Sequence, residues 1–480
     1  MRDRSDGWAG WQALVRRSER GAEPGLPIKL GACSNGEHAP AAPSPNLRRA
    51  VRLARVECAD AARRLGMSRR DFLRTSMASA ATLLAVGACS DGGDGGAPSG
   101  TFAVPPTSTT EPETATTVLG GDEPVLDVQQ HLLELEGFEG SFGSGFPQAG
   151  CGDGRACFDT EHWLDLVFAR SDTTMAVLSA IPVLGDPDPL SAEVMDAARR
   201  AADEVCGDGR VLVQGHAQPN VGRLDAALDA MRAEADRYPI AAWKSYTHVG
   251  RPWALDDATG EAFLALVEEI GPPIVCVHKG FGGDPADVGP AAAAHPEIAF
   301  VAYHSGYEAG VREGAYEVGR PNGGVDRLLE SVRRAGLGAG ANVYAELGST
   351  WRSVMGDPDQ AAHLLGKLIA ALGPGNVLWG TDSIWYGSPQ DQIQAFRAFE
   401  ITAEAQERFG YAPLTAEVKA GILAGNAARL YEVDVAGLPC RSTSGDREAL
   451  RADPPSPDQL LGPRTAAAAR RVFAADHPWF

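Results

Sequence analysis

His131, His278, His304 and Asp382 each end a short apolar run in this 480-residue chain. Three imidazoles and one carboxylate form the kind of donor set that holds a metal ion and activates water. Such chemistry requires side chains far apart in sequence to meet. A closed barrel of parallel strands achieves this, because every strand directs its C-terminal end to the same face.

Eight apolar runs fit that requirement: residues 125–131, 174–181, 211–215, 240–246, 273–278, 298–304, 342–347 and 377–382. Each is short and bounded by turn residues, as buried parallel strands are. Helical patterns separate them, among them residues 224–238, 260–270, 324–335 and 360–372. Strict alternation of strand and helix predicts an α/β fold with right-handed crossovers. No GxGxxG follows the first run, which removes the usual dinucleotide argument for an open doubly wound sheet. The predicted fold is a (β/α)8 TIM barrel over residues 123–435.

Composition bounds the partners. The formal net charge is −20, and an acidic body repels phosphate backbones, so nucleic acid is excluded as a partner. A small-molecule substrate is expected. Residues 1–66 run the other way, with twelve Lys/Arg against seven Asp/Glu.

Residues 67–89 read MSRRDFLRTSMASAATLLAVGAC. The Arg69–Arg70 pair precedes an apolar run too short to span a bilayer but right for a signal segment. The stretch resembles a twin-arginine signal peptide, and Cys89 after Val86-Gly87-Ala88 resembles a lipoprotein attachment site. The resemblance implies export by the twin-arginine route to the cell surface, periplasm or exterior, with membrane contact only through a lipid on Cys89. A plain cleavage site is the alternative. Residues 90–122 are rich in Gly, Pro, Thr and Ser and read as a disordered linker. Because residues 1–66 precede the signal, Met67 reads as a start and the upstream stretch as untranslated, or else as a cytoplasmic extension. The tail 436–480 is expected to pack on the barrel exterior. In an oxidising compartment Cys151 and Cys157, which flank the loop CGDGRAC, are candidates for a disulfide.

HKGF at His278, YHSGY at His304, WGTDSIWYG around Asp382 and GNAARLY at 425–431 occur in the order and at the strand ends of a known family. On these motifs the chain resembles the amidohydrolase superfamily, in its amidohydrolase-related (amidohydrolase 2) branch, across residues 123–435. The resemblance implies a metal-dependent hydrolase acting on a small amide, ester or lactone, or a decarboxylase of an aromatic or enoic acid. It implies one divalent metal, zinc first and manganese second, held by His131, His278 and Asp382. His304 would activate water, Asp382 would accept its proton, and a homo-oligomer is one expectation.

One position departs. Where the family has HxH, this chain has Gln129-Gln130-His131. Gln129 offers a neutral amide oxygen, a poorer zinc ligand than imidazole. Either the remaining three residues hold the metal, or affinity is weakened, or the metal is lost. The last case makes the protein a non-catalytic ligand-binding lipoprotein.

Further residues at the same face are candidates for substrate or ligand support. Lys244, ending the fourth run, lies where relatives place a bridging group; a carboxylate-binding cation or an ion-pair partner are the alternatives. Tyr246 and His248 follow it. Glu346 is a candidate to orient a ligand histidine, and Arg352 to clamp a carboxylate; a structural salt bridge is the other reading for both. Trp351, Trp385 and Tyr386 are candidate pocket walls or loop anchors. His38, His162, His295, His363 and His477 read as structural.

Overall fold

The computed structural model describes residues 25–31, 35, 43–135 and 158–438, apart from positions 94, 184–186, 208, 309, 320 and 322. Cys151, Cys157 and the tail beyond residue 438 lie outside the described residues, as do His38 and His477.

Eight strands form the core: β1 (Leu126–Gln130), β2 (Met175–Leu178), β3 (Val211–His216), β4 (Ile240–Ser245), β5 (Ile274–His278), β6 (Ala299–Tyr303), β7 (Val343–Glu346) and β8 (Val377–Leu378). They pair in sequence order, and every pairing is parallel. The chain after β8 closes the ring along β1. Val128 donates its N–H to Trp379 O (3.0 Å), Asp382 to Gln129 O (3.0 Å) and His131 to Ser383 O (2.6 Å). This is the (β/α)8 barrel predicted from the apolar runs.

Leu126, Val128, Val177, Ala242, Cys276, Val301 and Leu378 share one buried cluster with Ala424 and Ala427 of the final helical segment. That segment is tied to β8 by Asn426, whose amide donates to Pro374 O and Val377 O, both at 2.8 Å. A packed interior leaves chemistry to the rim, where the strand-to-helix loops gather.

Upstream of the barrel lie α1 (Pro45–Arg64), α2 (Ser76–Ala88) and α3 (Pro112–Leu119). The apolar run read as a signal segment is α2. Its Ala78, Ala80 and Ala81 are fully buried and Leu83 nearly so, and they share a cluster with Ala50, Ala54, Cys58 and Ala61 of α1. Cys89 caps the end of α2 and is buried. No described helix is long and apolar enough to cross a membrane.

Residues 95–121 differ from the disordered linker expected of their composition. Gly100–Phe102 pairs antiparallel with Phe399–Ile401, and Phe102, Val104, Ala115 and Leu119 are buried. A side chain at position 100 would strike Pro358 O and the Phe399 ring, so a glycine is what permits this approach. A few apolar residues and one ladder hold down a stretch whose composition reads as loose.

Candidate active site

The site begins with an irregularity. The β1–β2 register shifts between Asp127 and Gln130, the kind of bulge that re-aims side chains beside active sites. Val128 stays in the barrel interior, Gln130 accepts from Trp163 Nε1 (3.3 Å), and Gln129 and His131 both reach the mouth. Asp127 fastens this bend to the chain after β8. Its carboxylate accepts from Gln129 N and Thr381 N (3.1 Å each), from Gln130 Nε2 (2.5 Å) and from the Thr381 hydroxyl.

Six non-glycine residues among those described have positive φ, and five sit on mouth loops: Phe281, His304 (61°), Ser305, Ser349 (56°) and Asp382 (56°). Left-handed backbone costs about 1–3 kcal/mol at such residues and accumulates where function requires a fixed direction. Here it turns His304 and Asp382 into the mouth.

His131 and Asp382 form the centre. His131 Nδ1 lies 2.8 Å from Ser179 O; a carbonyl can only accept, so Nδ1 carries the proton and Nε2 the lone pair. That Nε2 faces Asp382 Oδ1 at 3.0 Å. Two electron-rich atoms at this distance repel unless a proton or a cation lies between them. Gln129 Nε2 is 3.0 Å from the same Asp382 oxygen and 3.4 Å from His131 Nε2. On its other side, Asp382 Oδ2 accepts from Asn35 Nδ2 (2.9 Å) and from the Ser349 hydroxyl. Burial opposes the Asp382 charge, yet contact with His131, the nearby His304 and the Ser349 hydrogen bond hold its carboxyl below the usual value.

His304, His278 and His248 form a second group. Ring centroids of His278 lie 4.6 Å from His304 and 4.7 Å from His248. His304 Nδ1 donates to Gly348 O (2.6 Å), which leaves its lone pair on Nε2. His278 does the reverse, with Nε2 against Gly280 O at 3.0 Å. Burial pushes all three down: His304 and His248 to about 4, His278 well below its ordinary value. They are neutral bases in a buried part of the mouth.

Glu346 ends β7 fully buried and accepts from His304 N (2.9 Å) and Gly348 N. It thus anchors the backbone of His304, not a ring. Burial raises its carboxyl to about 8. Lys244 is fully buried, its Nζ 3.5 Å above the Tyr303 ring and 4.9 Å from the Tyr246 ring. Arg352 does not pair with Glu346. Its guanidinium donates to Gly31 O (3.2 Å) and lies over the Tyr386 ring. Trp385 stacks on His131 at 5.4 Å, so it walls the site, whereas Trp351 packs against Phe396 and Phe399 as an anchor. His295 and His363 are held by Glu268 and Tyr411 respectively.

Three contributors escaped the sequence. Ser349 joins Asp382 to the Tyr386 hydroxyl (2.6 Å). Asn35 arrives from the upstream stretch. His216, at the end of β3, pairs with Asp188 (3.2 Å); its position at a strand end was the available signal.

The fit of a divalent cation can be judged from these donors. Among the described residues, no three His, Cys, Asp or Glu side chains gather closely enough to hold a metal ion. His131 Nε2 and Asp382 Oδ1, 3.0 Å apart, are nevertheless close enough for both to reach one cation at about 2.0–2.2 Å. Gln129 Oε1 is buried with no hydrogen-bond partner. Turning the amide over would bring this oxygen to the His131–Asp382 edge, an assignment that coordinates leave open for any Gln. The residues therefore fit one cation on two strong donors and one weak one, with His278 standing apart.

The amidohydrolase family model matches residues 127–433. No curated protein matches the chain. Among solved structures, an uncharacterised TIM-barrel protein of Bordetella bronchiseptica is 15% identical, with a TM-score of 0.42, over 64% of this chain and 98% of that one. The 5-carboxyvanillate decarboxylase of Sphingomonas paucimobilis is 15% identical, with a TM-score of 0.37, over 65% and 100%. A 2,6-dihydroxybenzoate decarboxylase from Rhizobium is 14% identical, with a TM-score of 0.38, over 65% and 99%. The family model spans nearly the whole barrel, from the β1 bend to the final helical segment, and the chain belongs to the amidohydrolase family.

Proposed function

We propose that the protein is a metal-dependent hydrolase of small amides, esters or lactones that carry a carboxylate. The carrying observation is the His131–Asp382 pair, whose facing atoms take a proton or a cation between them. One divalent cation, zinc or manganese, held by His131, Asp382 and the Gln129 amide oxygen, would supply a polarised carbonyl and an acidified water.

The chain's own residues do the rest. His304, neutral and with its lone pair on Nε2, accepts a proton from the attacking water. Its ring direction is fixed by Gly348 O and its backbone by Glu346. Asp382 is positioned by Ser349 and Asn35, and the proton held on His304 is the one returned to the leaving group. Lys244, a buried cation beside three neutral imidazoles, attracts the substrate carboxylate. Trp385 and Tyr386 exclude water around the centre.

Lys244 also favours a second reading. A carboxylate drawn to that cation is the group a decarboxylase would expel. Product analysis separates the two: hydrolysis yields an acid with an amine or alcohol, and decarboxylation yields CO2. The test of the common core is metal content. About one equivalent in purified protein, lost in His131→Ala, supports the proposal; folded protein that takes up no zinc or manganese sinks it and favours the ligand-binding alternative. Export with a lipid on Cys89 stays a proposal from the sequence, checked by mass measurement on protein from its native membrane fraction.

A further inference from the structure

The half of the mouth above β2, β3 and β4 lies apart from the His131–Asp382 pair, and inward-facing polar side chains gather there. Met175 and Val177 belong to the barrel interior, and side chains alternate along a strand, so Ser179 faces inward above β2. Gln214 reaches the interior hydroxyl of Tyr303 at 2.6 Å, which turns His216, two residues on, inward at the end of β3. His216 is in register with Lys244 of β4. We propose that this half of the mouth is a subsite for a hydroxyl group of the substrate, received by His216 and Ser179; the proposal rests on Lys244 binding the substrate carboxylate beside it.

The His216 ring is held from several sides. Its Nδ1 lies 3.2 Å from Asp188 Oδ2, and the two side chains are 5% and 8% exposed. Its backbone N–H donates to Glu234 at 3.1 Å, and its ring meets the Tyr246 ring edge-on, with centroids 6.2 Å apart. Tyr246 is itself fixed, since its hydroxyl donates to Ala180 O at 2.9 Å. Gln218 Nε2 stands 2.9 Å from His216 Nδ1 and 3.4 Å from His216 Nε2. A partner in line with one ring nitrogen stands much farther from the other, so this amide lies across the ring, where it donates to Val183 O at 2.8 Å. Asp188 is thus the partner of Nδ1. An ionised carboxylate only accepts, so Nδ1 carries the proton and Nε2 presents a lone pair.

Ser179 supplies an independent observation. It is fully buried, and its hydroxyl has no hydrogen-bond partner among the described residues. Such an orphaned group costs free energy that a ligand oxygen would recover. A hydroxyl suits both residues, because it donates to an imidazole lone pair and accepts from a serine hydroxyl. A carboxylate cannot donate, and an ammonium cannot accept.

The test compares 4-hydroxybutyrate with butyrate, which lacks only the hydroxyl, by ligand-observed NMR titration of the zinc-loaded full chain. Wild type should bind 4-hydroxybutyrate about tenfold more tightly. His216→Phe keeps a ring against Tyr246 and removes the lone pair; it should erase most of this preference and leave butyrate affinity unchanged. Ser179→Ala should reduce the preference about threefold. Because the Ser179 hydroxyl has no partner in the free protein, the melting temperature of that variant should equal or exceed that of wild type. Zinc uptake should be unchanged in both. Lys244→Met reads the underlying assignment separately: unchanged butyrate affinity there removes Lys244 from carboxylate binding, while the hydroxyl preference still reports on His216 and Ser179. The same comparison on metal-free protein separates the subsite from the metal centre. The proposal falls if wild type does not distinguish the two acids, if the preference survives intact in either subsite variant, or if His216→Phe weakens butyrate as much as 4-hydroxybutyrate.

Discussion

His131 Nε2 and Asp382 Oδ1 face each other at 3.0 Å with the opposite imidazole nitrogen committed to Ser179 O. The pair joins the first and last strands of the barrel, and a positive charge completes it. Asp382→Asn removes the carboxylate and substitutes a group that donates as well as accepts. It should reduce zinc or manganese uptake to background, read by plasma emission analysis, while the barrel's far-ultraviolet dichroism persists.

Gln129 is the weak member of the donor set. Replacing it with His supplies a second imidazole, and zinc affinity in competition with a chromophoric chelator should rise by about 10–100-fold. An unchanged affinity would mean that position 129 does not reach the cation.

Asp127 sits behind the site and accepts four hydrogen bonds from Gln129, Gln130 and Thr381. Asp127→Asn turns one acceptor into a donor facing other donors. A loss of about 2–4 kcal/mol in stability is expected, read by urea denaturation, together with weakened metal uptake because the β1 bend loosens.

Glu234 provides a pH test. Burial raises its carboxyl to about 7, against the pull of His216, whose N–H it accepts at 3.1 Å. A carboxyl whose folded pKa is raised stabilises the fold below about 4.5, and this contribution is lost as pH rises through 7. Glu234→Gln should therefore gain on wild type as pH climbs from 4.5 to 7.5, by about 1–3 kcal/mol. A pH-independent difference between the two would refute the assignment.

Lys29 is buried against Asp391 and donates to Tyr386 O and Ser388 O. Lys29→Met leaves Asp391 uncompensated. It should lower the melting temperature by on the order of 5–10 °C, and it should weaken metal uptake through Tyr386 and Ser349. Loss of stability alone would confine Lys29 to a packing role.

The barrel was legible because parallel strands buried on both faces must be apolar runs, and all eight were found in order. The chemistry-bearing strand ends were legible for the same reason, since His131, His278, His304 and Asp382 terminate those runs and Glu346 is next to last in its own. Asn35 and Ser349 were not, because an amide or hydroxyl acquires its role only from the acceptor that tertiary folding brings to it. The surroundings of Arg352 are likewise set by tertiary folding, since its loop carries the guanidinium to Gly31 and Tyr386. Residues 90–122 read as loose on composition, although four buried apolar residues and a three-residue ladder suffice to fix the part from 95 to 121. The Gly280 carbonyl takes the Nε2 proton of His278 and leaves Nδ1 as its lone-pair nitrogen, and the ligand role of His278 is implied by the family resemblance.

Asn35 and Asp382 touch across 347 positions of chain. A ribosome releases the first long before it makes the second, so the carboxylate acquires its full set of donors only after almost the whole described chain has been synthesised. The polar shell around Asp382 is therefore a late product of folding, closed by its own topology.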